Sequence, residues 1–106
     1  MVYIVVYASF PTQKGIEVAN KFVEERTKNP PDRSLLKVII DALKVAKGRV
    51  NSISISKVKE GKLNEALFRV QNDMVAYHEL EGYEYTIDIL FDVVEALEMV
   101  GIKPPE

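Results

Sequence analysis

Val2-Tyr3-Ile4-Val5-Val6-Tyr7-Ala8-Ser9-Phe10 is the stretch on which the reading of this 106-residue chain turns. As a strand it sends Val2, Ile4, Val6, Ala8 and Phe10 to one face and Tyr3, Val5, Tyr7 and Ser9 to the other. Both sets are largely apolar, so the strand requires cover on both sides, as an interior strand does. A chain of this length lays one helical layer against one face. The opposite face must then meet a second copy, a ligand, or both.

Working outward, Pro11 ends this strand and Thr12 is placed to cap a helix. Ile16, Val18, Ala19, Phe22 and Val23 share one arc of that helix, the pattern of an amphipathic helix laid on a sheet. Asn29-Pro30-Pro31 stops it, because the residue before a proline avoids helical geometry. From about Ser34 to Lys47, apolar residues wrap most of a helical circumference and Lys37, Asp41 and Lys44 leave a narrow polar stripe. This predicts a second helix, buried on several sides or serving as an interface element, with Gly48 as its C-terminal stop.

Val50–Val58 alternates cleanly, with Ile53 and Ile55 on one side and Ser52, Ser54 and Ser56 on the other, which predicts a half-buried strand. Leu63–Leu80 repeats its apolar residues at three and four, the spacing of a helix, with Asn64 as a candidate cap. Tyr83–Phe91 reads either as a strand or as the start of the last helix. Its aromatic and β-branched content favours the strand. Asp92–Val100 then forms a helix closed by Gly101-Ile102. The predicted order is β-α-α-β-α-β-α in one domain, residues 1–106, an α+β two-layer sandwich.

Composition bounds the function classes. Hydrophobic residues make up 47% and charged residues 28%, ordinary proportions for a globular protein. The absence of cysteine excludes disulfide and thiolate chemistry and fits a reducing cytoplasm. No membrane span or signal peptide is legible. A net charge of −2 gives no support to nucleic-acid binding. Residues 1–53 hold nine Lys/Arg against five Asp/Glu, and residues 54–106 hold five against eleven, so the two halves are of opposite sign. Two solvated faces account for that pattern, and so does attraction between neighbouring subunits.

With the three predicted strands side by side, and with Ile53, Ile55 and the Tyr83–Phe91 apolar set turned to the helices, the second faces combine Tyr3, Val5, Tyr7, Ser52, Ser54, Ser56, Thr86 and Asp88. Aromatic walls with hydroxyls and a carboxylate suit a small organic ligand. They equally suit an open face packed in a dimer. Asp88 is the candidate acid or base there. His78, the single histidine, borders the apolar face of its helix beside Met74 and Tyr77, and is the other proton-handling candidate. The ligand-binding candidates are thus Tyr3, Tyr7, Ser52, Ser54, Thr86, Asp88 and His78. One histidine without cysteine argues against zinc. The isolated glycines form neither a P-loop nor a dinucleotide fingerprint. No cofactor is expected.

The strand–helix order, the two-sided first strand and the size resemble the ferredoxin-like, dimeric α/β-barrel proteins. The closing Glu81-Gly82-Tyr83-Glu84-Tyr85 and Glu95-Ala96-Leu97-Glu98-Met99-Val100-Gly101 are similar to small prokaryotic proteins of unknown function with that architecture. The resemblance covers most of the chain and carries no functional motif. It implies two sheets that face each other, often around a cavity. Members include heme-degrading and other monooxygenases, isomerases, and binding or stress proteins. Helix Ser34–Lys47 departs from the usual four-strand pattern. The expectation is a cytoplasmic homo-oligomer without nucleic-acid or membrane partners, binding a small organic ligand on its open sheet face. The alternatives are a purely structural interaction module and a cofactor-independent enzyme using Asp88 or His78.

Overall fold

β1 (Val2–Pro11) lies inside a four-stranded sheet, between β3 (Arg49–Val58) and β4 (Glu84–Phe91), with β2 (Leu36–Ala46) outside β3. All neighbouring strands are antiparallel. The helices are α1 (Gly15–Lys28), α2 (Leu63–Val75) and α3 (Val93–Met99), and short 3-10 turns span Thr12–Lys14 and Ala76–Glu79. This computed structural model describes residues 1–105. The class is α+β, a four-stranded antiparallel sheet with three helices, compatible with a two-layer sandwich.

β1 is buried from both sides, as its composition requires. Ile4, Ala8 and Phe10 are at most 6% exposed on one face, and Val5 is fully buried on the other. α1 and α2 cover the face of Ile4. One core cluster joins Ile4, Leu36, Val58 and Ala66, with Leu63, Leu67 and Val70 of α2 packed against it. A second joins Phe10, Val18, Val50 and Tyr77. Neither cluster includes a residue of the Tyr3–Val5–Tyr7 face.

The helix predicted over Ser34–Lys47 is a correction: the segment is strand β2, and the element order is β-α-β-β-α-β-α. The reason is a β-bulge between Val38 and Ile40. The bulge inserts one residue and reverses the parity of everything after it. Leu36 and Val38 share a face with Asp41, Leu43 and Val45, while Lys37, Ile40, Ala42 and Lys44 take the other. Lys37 and Lys44, an odd number apart, thereby reach the same face. Read without the bulge, the charged positions imitate a helical stripe.

Gly48 likewise does not stop a helix. Lys47 (φ 54°) and Gly48 (φ 75°) form the two-residue turn of the β2–β3 hairpin, both in the left-handed region that such a turn favours. Thr12, expected to cap α1 directly, opens the short turn before it and donates its hydroxyl to the Gly48 carbonyl at 3.2 Å. Asn64 is not the cap of α2, which is Lys62. That helix ends at Val75 and continues as the 3-10 turn.

Of the arc of α1 expected to lie on the sheet, only Val18 is buried, and Ile16 (79%) and Val23 (63%) are exposed. Two expectations near the C-terminus hold. Tyr83–Phe91 is strand from Glu84 onward. Asp92 caps α3, accepting the Glu95 backbone N–H at 2.9 Å. At the far end, the Ile102 N–H reaches the Leu97 carbonyl and the Gly101 N–H reaches that of Glu98, with Gly101 at φ 74°. That double closure is a Schellman motif.

The left-handed Lys47 carries the strain of a side chain where glycine or asparagine is preferred. Lys47→Asn is expected to raise stability by roughly 0.5–1 kcal/mol, and Gly48→Val to lower it by about 1 kcal/mol or more. Both are read as shifts of the urea midpoint at constant m-value.

Candidate functional site

The β1–β3 register decides where each candidate side chain goes. Ile4, Val6 and Ala8 stand opposite Ser56, Ser54 and Ser52, so the serines share the helix-facing side of the sheet. Val5 and Tyr7 stand opposite Ile55 and Ile53, so those isoleucines lie on the open side. This inverts the orientation expected for β3. On β4, Tyr7 pairs with Thr86 and Val5 with Asp88, which puts Thr86 and Asp88 on the open face, while Tyr85, Ile87 and Ile89 face the helices as expected.

The seven candidates therefore fall into three places. Tyr3, Tyr7, Thr86 and Asp88 share the open face, where Tyr7 is 46% exposed. Ser52 and Ser54 lie on the opposite side of the sheet, in a groove beneath the helices. His78 sits beside β4 in the helical layer, its Nε2 2.5 Å from the Tyr85 hydroxyl and its ring stacked on that of Tyr85. Tyr85 pairs with Ala8, so His78 and Asp88 belong to opposite sides of the sheet and share no site.

The groove encloses about 620 Å³. Its floor includes Val6, Ala8, Ser52, Ser54 and Ser56, and its walls include Phe22 on α1 and Val70 and Met74 on α2. It opens toward β2. Arg26 of α1 reaches across to β2, its Nη2 2.9 Å from Asp41 Oδ2 and its guanidinium 4.7 Å above the Phe22 ring. Arg69 of α2 donates to both Asp73 oxygens and, through Nη2, to the carbonyls of Asn29 and Pro30 at 3.1 and 2.9 Å. That ties α2 to the connection between α1 and β2. Lys21 of α1 pairs with Glu79, which raises the lysine pKa through their hydrogen bond.

At the inner end, Tyr83 stacks between Phe10 and Tyr77, with ring centroids 5.7 and 4.9 Å away. Burial pushes both phenols above the ordinary tyrosine range. Among the described residues, no group of three or more His, Cys, Asp or Glu side chains is placed to hold a metal ion. Among them too, no helix is long and apolar enough to cross a membrane.

Sequence reasoning missed Phe22, Arg26, Asp41 and Met74 as groove residues. The signal was the Lys47-Gly48 dipeptide between two apolar runs, a hairpin pattern that would have brought Asp41 opposite Ser54.

No family model and no curated protein matches the sequence. Solved structures similar in fold include two de novo designed proteins. One is the de novo designed protein Foldit4, at 11% identity and TM-score 0.54, over 86% of this chain and 97% of that one. Another is the de novo designed protein Ferredog-Diesel, at 10% identity and TM-score 0.54, over 81% and 83%. These likenesses concern the fold alone, a small α/β arrangement on a four-stranded antiparallel sheet. They show neither a sequence family nor a prokaryotic origin.

At the groove mouth, Asp32 accepts the Ser34 hydroxyl at 2.6 Å and the Ser34 backbone N–H at 2.9 Å, and these bonds hold its carboxyl below the ordinary range. A depressed folded pKa gives a stability contribution complete above the unfolded value and lost as pH falls through the folded one. Ser34→Ala is expected to move the Asp32 titration, followed by carboxyl ¹³C shifts, back up toward the ordinary value. An unmoved midpoint would count against the hydroxyl as its cause.

Proposed function

We propose that this chain is a self-associating domain of the ferredoxin-like kind, whose open sheet face docks on the same face of a second copy. The observation that carries the reading is the layout of that face. Tyr3, Tyr7, Ile53 and Ile55, around the already buried Val5, form an apolar centre. Lys37, Lys44 and Lys57 lie on the β2–β3 half, and Glu84 and Asp88 lie on β4. A two-fold axis parallel to the strands, set between two sheets about 10 Å apart, lays β2 of one copy over β4 of the other. Every basic edge then meets an acidic one, and the apolar centres meet each other.

Surface area supports the same reading. The chain exposes 7406 Å² at a mass of 12.0 kDa. A compact monomer of that mass exposes about 6,000 Å². The difference exceeds the roughly 800 Å² per partner of a standard interface. In this reading Tyr3, Tyr7, Thr86 and Asp88 are contact residues, and Asp88 contributes charge to the acidic edge rather than transferring a proton.

Tyr7→Glu introduces a charge at an already exposed position, and is expected to leave the monomer folded and abolish the dimer in sedimentation equilibrium. Glu84→Lys with Asp88→Lys is expected to weaken association by about tenfold or more, and adding Lys37→Glu and Lys44→Glu to restore it. A wild-type protein that stays monomeric at its highest soluble concentration would overturn the assembly.

A further inference from the structure

We infer that the groove on the other side of the sheet, beneath α1 and α2, is a binding site for a neutral, predominantly apolar molecule carrying oxygen atoms about 7 Å apart. Its volume of about 620 Å³ falls in the range of small-molecule sites, and its lining is predominantly apolar. The polar groups on its floor are ordered. Ser52 and Ser54 are two residues apart on one strand, which spaces their side chains about 7 Å along it. Hydroxyls on the helix-facing side of a sheet are out of place in a packed core, because each needs a hydrogen-bonding partner. Here they lie on an open floor between Val6 and Ala8 on one side and β2 on the other.

Charge selects the class of ligand. Both arginines that line the groove already hold carboxylates, Arg26 with Asp41 and Arg69 with Asp73. Glu25 and Asp32 add two further carboxylates to the lining, and Asp32 is held ionised by Ser34. An anionic head group would meet uncompensated negative charge. A neutral, predominantly apolar molecule meets the Phe22 and Met74 walls and the serine hydroxyls.

The test is fluorescence titration of the folded wild-type protein with the neutral phenoxazone dye Nile red and with anionic anilinonaphthalene sulfonate. Nile red is expected to bind at least about tenfold more tightly. Ser54→Phe, which fills the floor, is expected to weaken it by about tenfold or more. Ser52→Ala with Ser54→Ala keeps the space and is expected to cost about three- to tenfold, with far-UV circular dichroism confirming that the fold persists. Tyr7→Glu, on the opposite face, is expected to leave Nile red affinity unchanged, so failure of the assembly reading would not affect this one. The site is overturned if neither dye binds, if the sulfonate binds as tightly as Nile red, or if folded Ser54 variants bind like wild type. Loss of binding in Tyr7→Glu would place the dye on the open face and overturn it equally.

Discussion

Pairing of Ile4, Val6 and Ala8 with Ser56, Ser54 and Ser52 is the constraint from which the rest of the molecule follows. Side chains directly opposite in an antiparallel ladder share a face. A shift of one residue would exchange the two faces of β3 completely. In the observed register the large apolar residues of β3 leave the helical side and join Tyr3, Val5 and Tyr7 on the open side. The open face gains an apolar centre, and the helical side gains a floor of small hydroxylated residues. Both surfaces are consequences of one alignment.

That alignment explains what was legible in the sequence. The two-sided character of Val2–Phe10 was readable because no special geometry interrupts it, and burial of Ile4 on one side and Val5 on the other follows directly. The α3 stop was readable because Gly101-Ile102 carries its own backbone chemistry. β2 was readable as a strand only through its hairpin turn and its β-branched residues, against a misleading charge pattern. Its bulge moves Lys44 onto the face of Lys37, and no feature of the local sequence marks Ile39 as the extra residue. The β-branched density of Val38, Ile39, Ile40 and Val45 was the better guide, since stiff side chains fit a pleated surface and lose freedom on a helix.

The candidate site was legible in its residue types and not in its location. Tyr3, Tyr7, Thr86 and Asp88 were placed together correctly, because both strands keep strict alternation and pair with each other. Ser52 and Ser54 were put on the wrong side because alternation within one strand leaves open which set turns inward. It is natural to turn isoleucines toward helices and serines toward water. Here the open face is apolar enough to take the isoleucines. His78 is held by its stack on Tyr85, a contact across the turn between α2 and β4 that helical spacing does not disclose.

The helical layer itself argues that the groove is kept rather than left over. Two core clusters grip the sheet at its ends, one about Ile4, Val58 and Ala66 and the other about Phe10, Val50 and Tyr77. The serine row lies between them. Valine at Ser52 and Ser54 would bury further apolar area, worth on the order of 1–2 kcal/mol each if the helices closed over it. Interiors ordinarily take that gain, since they pack with few voids larger than a water molecule. Instead the helices are held by ties at the periphery, Lys21 to Glu79, Arg26 to Asp41, and Arg69 to the Asn29 and Pro30 carbonyls. Such ties fix the helices against the sheet without requiring the space beneath them to be filled. A chain with a small core and 7406 Å² of exposed surface forgoes apolar burial on both sides of its sheet. In the proposed assembly a second copy recovers it on the open face. In the groove, among Arg26, Asp41 and the serines between the clusters, the proposed ligand recovers it.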